Sequence, residues 1–256
     1  MEFRRNIEDK LKAWSQSPFR KPLVLRGARQ VGKTTAVKQF AVNYEQFIYL
    51  NLETDDAKSF EGERDIHKIV DRIFFLKDGE KGKADTLIFI DEIQEVPSAL
   101  NMLRYFYEEY PEYHVIAAGS LLESLFDRDV SFPVGRVDYL YMYPFTFGEF
   151  LEALGERNAL NAYRQVPVPD YAVDKLMQLF HTYTLVGGMP EAVYRYVVTK
   201  DLSQVKPVYD SLLLSYLDDV EKYAKTTNQM QVMRHCIRSC FAEAGERIKF
   251  AGFGES

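Results

Sequence analysis

PLVLRGARQVGKTT, residues 22–35, decides the fold of this 256-residue chain. Its centre, residues 27–34, fits the pattern G-x-x-x-x-G-K-[ST] at every fixed position. The apolar residues before it predict the end of a buried strand, and the apolar spacing of residues 35–42 predicts a helix after it. Such a turn points backbone N–H groups inward, and the helix N-terminus adds a positive dipole end. The stretch therefore predicts a cradle for the phosphates of a nucleotide.

The side chains of this loop have distinct predicted roles. Lys33 is expected to reach the β- and γ-phosphates, and the Thr34 hydroxyl is expected to hold Mg²⁺. No residue in the sequence plainly recognises a base, so the residues alone leave ATP and GTP open. The predicted nucleotide contacts of the loop are Gly27, Ala28, Arg29, Gln30, Val31, Gly32, Lys33, Thr34 and Thr35.

A second informative stretch is TLIFIDE, residues 86–92, where a continuous apolar run leads into two carboxylates. Such a run is typical of a strand buried on both faces of a parallel sheet. Asp91, at the carboxyl end of this strand, is expected to lie beside the loop and help to bind Mg²⁺. Glu92 is expected to polarise the water that attacks the γ-phosphate.

Two further residues have competing interpretations. Ser120 follows a predicted core strand over residues 113–119 and either contacts the γ-phosphate or the attacking water, or simply caps a helix over residues 121–126. Arg136 precedes the alternating segment 137–143, which suits a strand. It either stabilises charge on the transferring phosphoryl group or forms a surface ion pair.

The alternation of predicted strands and helices ends near Tyr143. The sequence predicts an α/β fold with a three-layer P-loop domain and a mainly parallel sheet over residues 1–145. An all-α lid domain is predicted over residues 146–256, opening on a capping box formed by Thr146 and Glu149. The segment LVGGMP, residues 185–190, is either a plain corner between helices or a lid element that approaches the nucleotide.

Composition and charge exclude several classes of protein. The apolar runs are too short for a membrane span, and the first 22 residues have no apolar signal-peptide core. Cys236 and Cys240 do not make a disulfide framework, and we interpret both as core-lining residues rather than zinc ligands. These features predict a cytoplasmic protein. The net charge of −6 does not favour a nucleic-acid partner, although it leaves a local basic patch open.

Several motifs together resemble one known family. Five motifs occur in the same order in a family of bacterial and archaeal AAA-type ATPases that are similar to the STAND signal-transduction ATPases. These motifs are GARQVGKTT, IFIDEIQ, AAGS, SFPVGRVDYLYMYPFTFGEFL and GGMPEAV. The resemblance extends from about residue 5 to residue 253. The phosphate loop is common to many families, whereas the segment from Gly135 to Phe147 and the GGMP corner are more specific.

The resemblance implies ATP and Mg²⁺ as cofactors, a helical lid and a C-terminal domain of unknown function. Family members continue beyond the point where this chain stops, which implies either a truncated form or an unusually short member. The roles that the resemblance implies are phosphate and Mg²⁺ binding by Lys33 and Thr34, a Walker B pair at Asp91 and Glu92, a sensor at Ser120, a γ-phosphate contact in cis or in trans at Arg136, and a lid motif near the base at Gly188 and Pro190.

The function that these predictions favour is Mg²⁺-dependent hydrolysis of ATP coupled to movement of the helical lid. One alternative is a regulatory switch that binds the nucleotide tightly and turns it over slowly. A P-loop kinase is a second alternative, which the Glu92 carboxylate after Asp91 disfavours. We also expect a protein partner of unknown identity and possible assembly into a homo-oligomer.

Overall fold

A parallel β-sheet forms the centre of the fold. The computed structural model describes residues 3–60, 62–63, 65–119, 135–243 and 247 of the chain. The strands are β1 (Leu23–Arg26), β2 (Gln46–Asn51), β3 (Thr86–Asp91), β4 (His114–Gly119) and β5 (Asp138–Tyr141). They lie side by side in the order β2-β3-β4-β1-β5, and all four pairings are parallel.

Helices cover both faces of this sheet. They are α1 (Asn6–Ser15), α2 (Lys33–Ala41), α3 (Ile66–Leu76) and α4 (Pro97–Glu109). Apolar residues of α3 and α4 form one core with alternate strand residues such as Val24, Ile88 and Val115. On the opposite face, α2 packs against β3 and β4 and also contacts α1. Because both faces are covered, every residue of β3 is buried, which explains its continuous apolar sequence.

The chain after β5 is helical. Its helices are α5 (Phe147–Ala153), α6 (Arg157–Tyr163), α7 (Asp170–Val186), α8 (Pro190–Thr199), α9 (Lys206–Tyr223) and α10 (Thr227–Ala242). The predicted capping box is present at the start of α5, where the Glu149 carboxylate accepts a hydrogen bond from the Thr146 backbone N–H. The predicted fold class, a three-layer α/β arrangement followed by a helical part, is therefore confirmed.

One detail of the sequence analysis is wrong. Cys236 and Cys240 on α10 are free thiols exposed to solvent and do not line a core. The spacing of four residues places both on one side of a helix, but it does not tell which side faces solvent. Over the part of the chain that the structure describes, no helix combines the length and apolar character needed to cross a membrane.

By compactness the chain divides into two units, Met1–Tyr194 and Arg195–Ser256. The first unit contains the sheet, its covering helices and helices α5 to α7. The second contains α9 and α10, which pack against each other. The predicted boundary at residue 145 marks the change from α/β to helical structure, and it stays a prediction.

The parallel pairing determines where a ligand would lie. Arg26, the last residue of β1, pairs with Gly119 at the end of β4, and Asn51 pairs with Asp91 at the ends of β2 and β3. The carboxyl ends of these strands therefore share one edge of the sheet. In open α/β sheets, ligands bind at this edge. The segments that follow β1 and β3 converge there.

Candidate functional site

The loop after β1, residues 27–34, turns sharply into α2, and we call it the P-loop. A Cβ atom on Gly27 would lie 2.3 Å from the backbone oxygen of Met142, so only glycine fits at this position. Gly32 caps the start of α2 with a left-handed backbone (φ 95°). The loop thus presents the N-terminus of α2 at the edge of the sheet, which is a favourable place for an anion.

The Lys33 side chain lies across the P-loop. Its Nζ donates hydrogen bonds to the backbone oxygens of Gly27 (2.9 Å) and Ala28 (3.0 Å). Burial lowers the pKa of the Lys33 ammonium, and the carboxylates of Glu92 and Asp91 act in the opposite direction. The positive charge of Lys33 is therefore held between the loop and the acidic residues at the end of β3.

Thr34 and Asp91 come together at the mouth of the P-loop. The Thr34 Oγ1 hydroxyl donates a hydrogen bond of 2.7 Å to Asp91 Oδ2, and the Tyr49 hydroxyl donates to the same oxygen at 3.4 Å. Asp91 is only 3% exposed. Burial raises the pKa of this carboxyl group, whereas the hydrogen bond from Thr34 lowers it. The pair is a set of oxygen donors of the kind that Mg²⁺ prefers.

Glu92 follows Asp91 in a strained backbone conformation. Its φ of 52° and ψ of 45° lie in the left-handed region, which glutamate rarely occupies. Such a conformation costs about 1–3 kcal/mol and is concentrated at functional sites. The Glu92 side chain is partly exposed, and its Oε2 accepts a hydrogen bond of 2.5 Å from Gln94 Nε2.

An apolar cavity of about 190 Å³ opens beside the P-loop. Three residues predicted from the sequence to lie at the nucleotide line it, namely Gly32, Thr35 and Pro190. No local pattern marks its aromatic walls as part of a site, because aromatic residues are more often part of a core. The residues that line the cavity include Phe3, Gly32, Thr35, Met142, Phe145, Pro190 and Tyr194.

The corner between α7 and α8 is hydrogen-bonded to Phe145, which lines this cavity. The backbone N–H of Phe145 donates a hydrogen bond of 2.6 Å to the Gly188 oxygen. The Tyr183 hydroxyl in turn donates to the Phe145 oxygen, also at 2.6 Å. A Cβ atom on Gly188 would lie 2.6 Å from the Phe145 oxygen and 2.9 Å from Pro144 Cβ. The second glycine of GGMP is therefore explained by close backbone packing.

We expect Gly188→Ala to destabilise the protein by about 1–3 kcal/mol, because the new methyl group overpacks a contact with backbone atoms that cannot move aside. Thermal unfolding measures this loss. Gly148→Ala is the matched control, since its Cβ would meet only side-chain atoms, those of Tyr163 at 3.4 Å and Leu160 at 3.9 Å. Equal stability of the two variants would contradict the packing explanation.

A buried ion pair that the sequence does not reveal lies behind the P-loop. Arg5 Nε donates to Glu149 Oε1 at 3.1 Å, and both side chains are at least 93% buried. The remaining nitrogens of the guanidinium donate to the Val31 oxygen of the P-loop (3.2 Å) and to the Tyr143 oxygen (2.7 Å). Its plane also lies 4.0 Å from the centre of the Phe145 ring. Arg5 thus joins the P-loop, the end of β5 and the start of α5.

The two site residues with competing interpretations, Ser120 and Arg136, have different outcomes. Ser120 lies outside the described residues. Arg136 donates from Nε to Glu108 Oε1 at 2.6 Å in an exposed ion pair. It precedes Asp138, which pairs with Leu23 at the amino end of β1. The P-loop follows the carboxyl end of β1, so the structure does not bring Arg136 to the P-loop of its own chain.

A parallel α/β sheet with a P-loop after β1 and an acidic pair at the end of β3 defines the class of P-loop NTPases. A family model described as an AAA domain matches residues 19–151, just over half of the chain, and the chain belongs to this family of AAA-type P-loop ATPases. A second model, described as a domain of unknown function (DUF8612), matches residues 177–256. The predicted family is therefore confirmed. Among curated proteins, no match was found.

Solved structures match this chain at low sequence identity, and the Pyrococcus abyssi structure, with a TM-score above 0.5, has the same fold. A Walker-type ATPase of Pyrococcus abyssi is 18% identical with a TM-score of 0.56, and the match covers 98% of this chain and 86% of that one. A chain in the structure of Drosophila ORC bound to DNA is 14% identical with a TM-score of 0.44, covering 94% and 67%. PCH-2 of C. elegans is 15% identical with a TM-score of 0.46, covering 93% and 69%.

Proposed function

We propose that this chain binds ATP with Mg²⁺ at the P-loop, hydrolyses the γ-phosphate and uses the reaction to move its helical part. The hydrogen bond of 2.7 Å between Thr34 and Asp91 is the observation that carries the proposal. It joins two side chains 57 residues apart in the sequence. In P-loop NTPases these two residue types hold Mg²⁺ beside the nucleotide phosphates.

The donor set fits this ion. Mg²⁺ in nucleotide sites is held by one or two protein oxygens, with waters and substrate phosphates completing the octahedron. Thr34 and Asp91 supply such oxygens at the mouth of the loop. When bound, Mg²⁺ would neutralise negative charge on the β- and γ-phosphates. The Lys33 ammonium, which is now held by loop carbonyls, would exchange these partners for phosphate oxygens.

Glu92 is the proposed general base. In the proposed reaction the oxygen of a water molecule bonds to the γ-phosphorus, and the bond from this phosphorus to the β,γ-bridging oxygen breaks. Glu92 accepts the proton that the water loses. The products are ADP and inorganic phosphate. The strained backbone of Glu92 supports this role, because such strain is concentrated at active sites and ligand clamps.

We assign the base of the nucleotide to the apolar cavity beside Thr35. Its aromatic walls, Phe145 and Tyr194, suit a flat ring, and Pro190 lies on the same cavity. The hydrogen bond between Phe145 and Gly188 links this cavity to the corner before α8. A base that displaces Phe145 would therefore displace the corner as well, which supports the proposed coupling between nucleotide and helices.

Arg136 enters this proposal only through a second copy of the chain. In its own chain it lies at the amino edge of the sheet, in an ion pair with Glu108. A contact between Arg136 and a γ-phosphate therefore requires the nucleotide of a neighbouring copy. This geometry favours the in-trans alternative over the in-cis alternative.

The experiment that tests the proposed function measures phosphate release and nucleotide binding as Mg²⁺ is titrated. For Thr34→Ala we expect half-maximal activation at a Mg²⁺ concentration roughly tenfold higher, because one oxygen that holds the ion is lost. Thr182→Ala is the matched control, since this exposed hydroxyl only donates to Gln178 of its own helix.

The outcomes separate the alternatives. Phosphate release from ATP that requires Mg²⁺ supports an ATPase. The same result with GTP as the preferred substrate would show that the nucleotide carries guanine and not adenine. Tight binding of ATP without release favours the slow regulatory switch. If nucleotide binding and phosphate release both persist after Mg²⁺ is removed, the roles given to Thr34 and Asp91 are contradicted.

A further inference from the structure

Gln94 follows the proposed general base, Glu92, by two residues and is hydrogen-bonded to its carboxylate. It belongs to a short 3₁₀ turn, Ile93–Glu95, that connects β3 to α4. Its side-chain amide is buried, with 8% of the residue exposed, and Nε2 donates to Glu92 Oε2 at 2.5 Å. The other end of the amide, Oε1, is buried and has no hydrogen-bond partner within the described part of the chain.

This arrangement is unfavourable for stability. A buried acceptor that lacks a donor loses its hydration without compensation, so an apolar side chain of similar shape would fit the same space at lower cost. The neighbours Ile93 and Val96 are themselves buried apolar residues. Packing therefore does not explain an amide here, and the hydrogen bond to Glu92 is the interaction that it provides.

The hydrogen bond from Gln94 limits the orientations that the Glu92 side chain can adopt. Glu92 is partly exposed and has three rotatable side-chain bonds, so without a partner its carboxylate would sample several rotamers. The hydrogen bond from Gln94 restricts these rotamers, and Glu92 follows Asp91, whose carboxylate accepts a hydrogen bond from Thr34 of the P-loop. Gln94 therefore restrains a carboxylate that lies next to the mouth of the P-loop.

We propose that Gln94 is a positioning residue that holds the Glu92 carboxylate toward the P-loop. The proposal rests on the proposed ATPase function. Gln94 acts through Glu92 and itself contacts no reacting atom. The turn 93–95 would thereby fix the distance between the base and the attacking water, and general-base catalysis is sensitive to such distances.

The test uses Gln94→Met in the full chain, because methionine has a similar length and no hydrogen-bonding amide. We expect kcat to fall by roughly 10- to 100-fold, as for other small misplacements of a catalytic group. The KM and the equilibrium dissociation constant for Mg²⁺-ATP should change less than about twofold, since Gln94 has no contact with the P-loop among the hydrogen bonds of the structure. The Tm should stay equal to that of the wild type or rise.

Gln46→Met is the matched control. The Gln46 amide donates to Thr86 Oγ1 at 2.9 Å near the amino edge of the sheet, so it is structural and distant from the P-loop. For this variant we expect the opposite pattern, with a lower Tm and an unchanged kcat. A fall in kcat with an unchanged Tm at Gln94 is a result that a merely structural role would not give.

A double-mutant cycle with Glu92→Gln tests whether Gln94 acts through Glu92. Single-turnover rates should show that Gln94→Met causes no further loss once Glu92 is replaced. Equal losses in both backgrounds, an unchanged kcat in Gln94→Met, or a parallel fall of kcat and Tm would each overturn the inference. Absence of turnover by the wild type would instead overturn the proposed function, and the inference with it.

Discussion

Glu92→Gln is expected to lower ATP turnover by about 10²- to 10⁴-fold, the usual contribution of a general base. Glutamine has the shape of glutamate but accepts no proton, so the attacking water keeps both of its protons. The hydrogen bonds of Lys33 and Thr34 at the P-loop do not involve Glu92. They are made to Gly27, Ala28 and Asp91. Binding of Mg²⁺-ATP should therefore stay within about twofold of the wild type.

The measurement pairs phosphate release with equilibrium binding of a nucleotide. Glu95→Gln is the matched control, because Glu95 belongs to the same 3₁₀ turn but is exposed. It should hydrolyse ATP at the wild-type rate. Full turnover by Glu92→Gln would remove Glu92 as the base. If the wild type and Glu92→Gln bind equally and neither releases phosphate, the chain is better described as a nucleotide-held switch.

The parts of the site that the sequence predicted are those that depend on local pattern. The P-loop has fixed spacing, and Asp91 follows a strand whose apolar run is a consequence of burial on both faces. Since the strands are parallel, their carboxyl ends meet at one edge, so the proximity of Thr34 and Asp91 followed from the predicted fold. The left-handed backbone of Glu92 has no such signature.

The contacts that the sequence did not predict join distant positions. Arg5 and Glu149 are 144 residues apart, and the predicted capping box already gives Glu149 a sufficient local explanation. The sequence around Gln94 predicts a turn but not the hydrogen bond to Glu92.

For Arg136, its position in the sequence and the resemblance both suggest a phosphate contact, with a surface ion pair as the alternative. The parallel pairing of β5 with β1 puts it at the opposite edge, in an ion pair with Glu108. A residue that precedes a parallel strand lies at the amino edge of the sheet, but the direction of an edge strand such as β5 is determined by tertiary pairing and not by local pattern.

Arg5→Met is expected to lower the free energy of unfolding by about 3–5 kcal/mol, the usual cost of leaving one partner of a buried ion pair alone. Glu149 would retain the N–H groups of Asn6 and Thr146 but lose its cationic partner. The Val31 and Tyr143 oxygens would lose their guanidinium donors as well. Denaturant unfolding measures the change, and nucleotide binding should weaken too, because Val31 belongs to the P-loop.

Arg4→Met separates this effect from a general effect of charge. Arg4 is the adjacent residue, but its ion pair with Asp9 is exposed, and such pairs contribute about 0–1 kcal/mol. The double variant Arg5→Met with Glu149→Gln should lose less stability than the sum of the single variants, since no buried charge then stays unpaired. Additive losses would show that Arg5 and Glu149 contribute independently. In that case the pair would not be the connection between the P-loop and α5 that the geometry indicates.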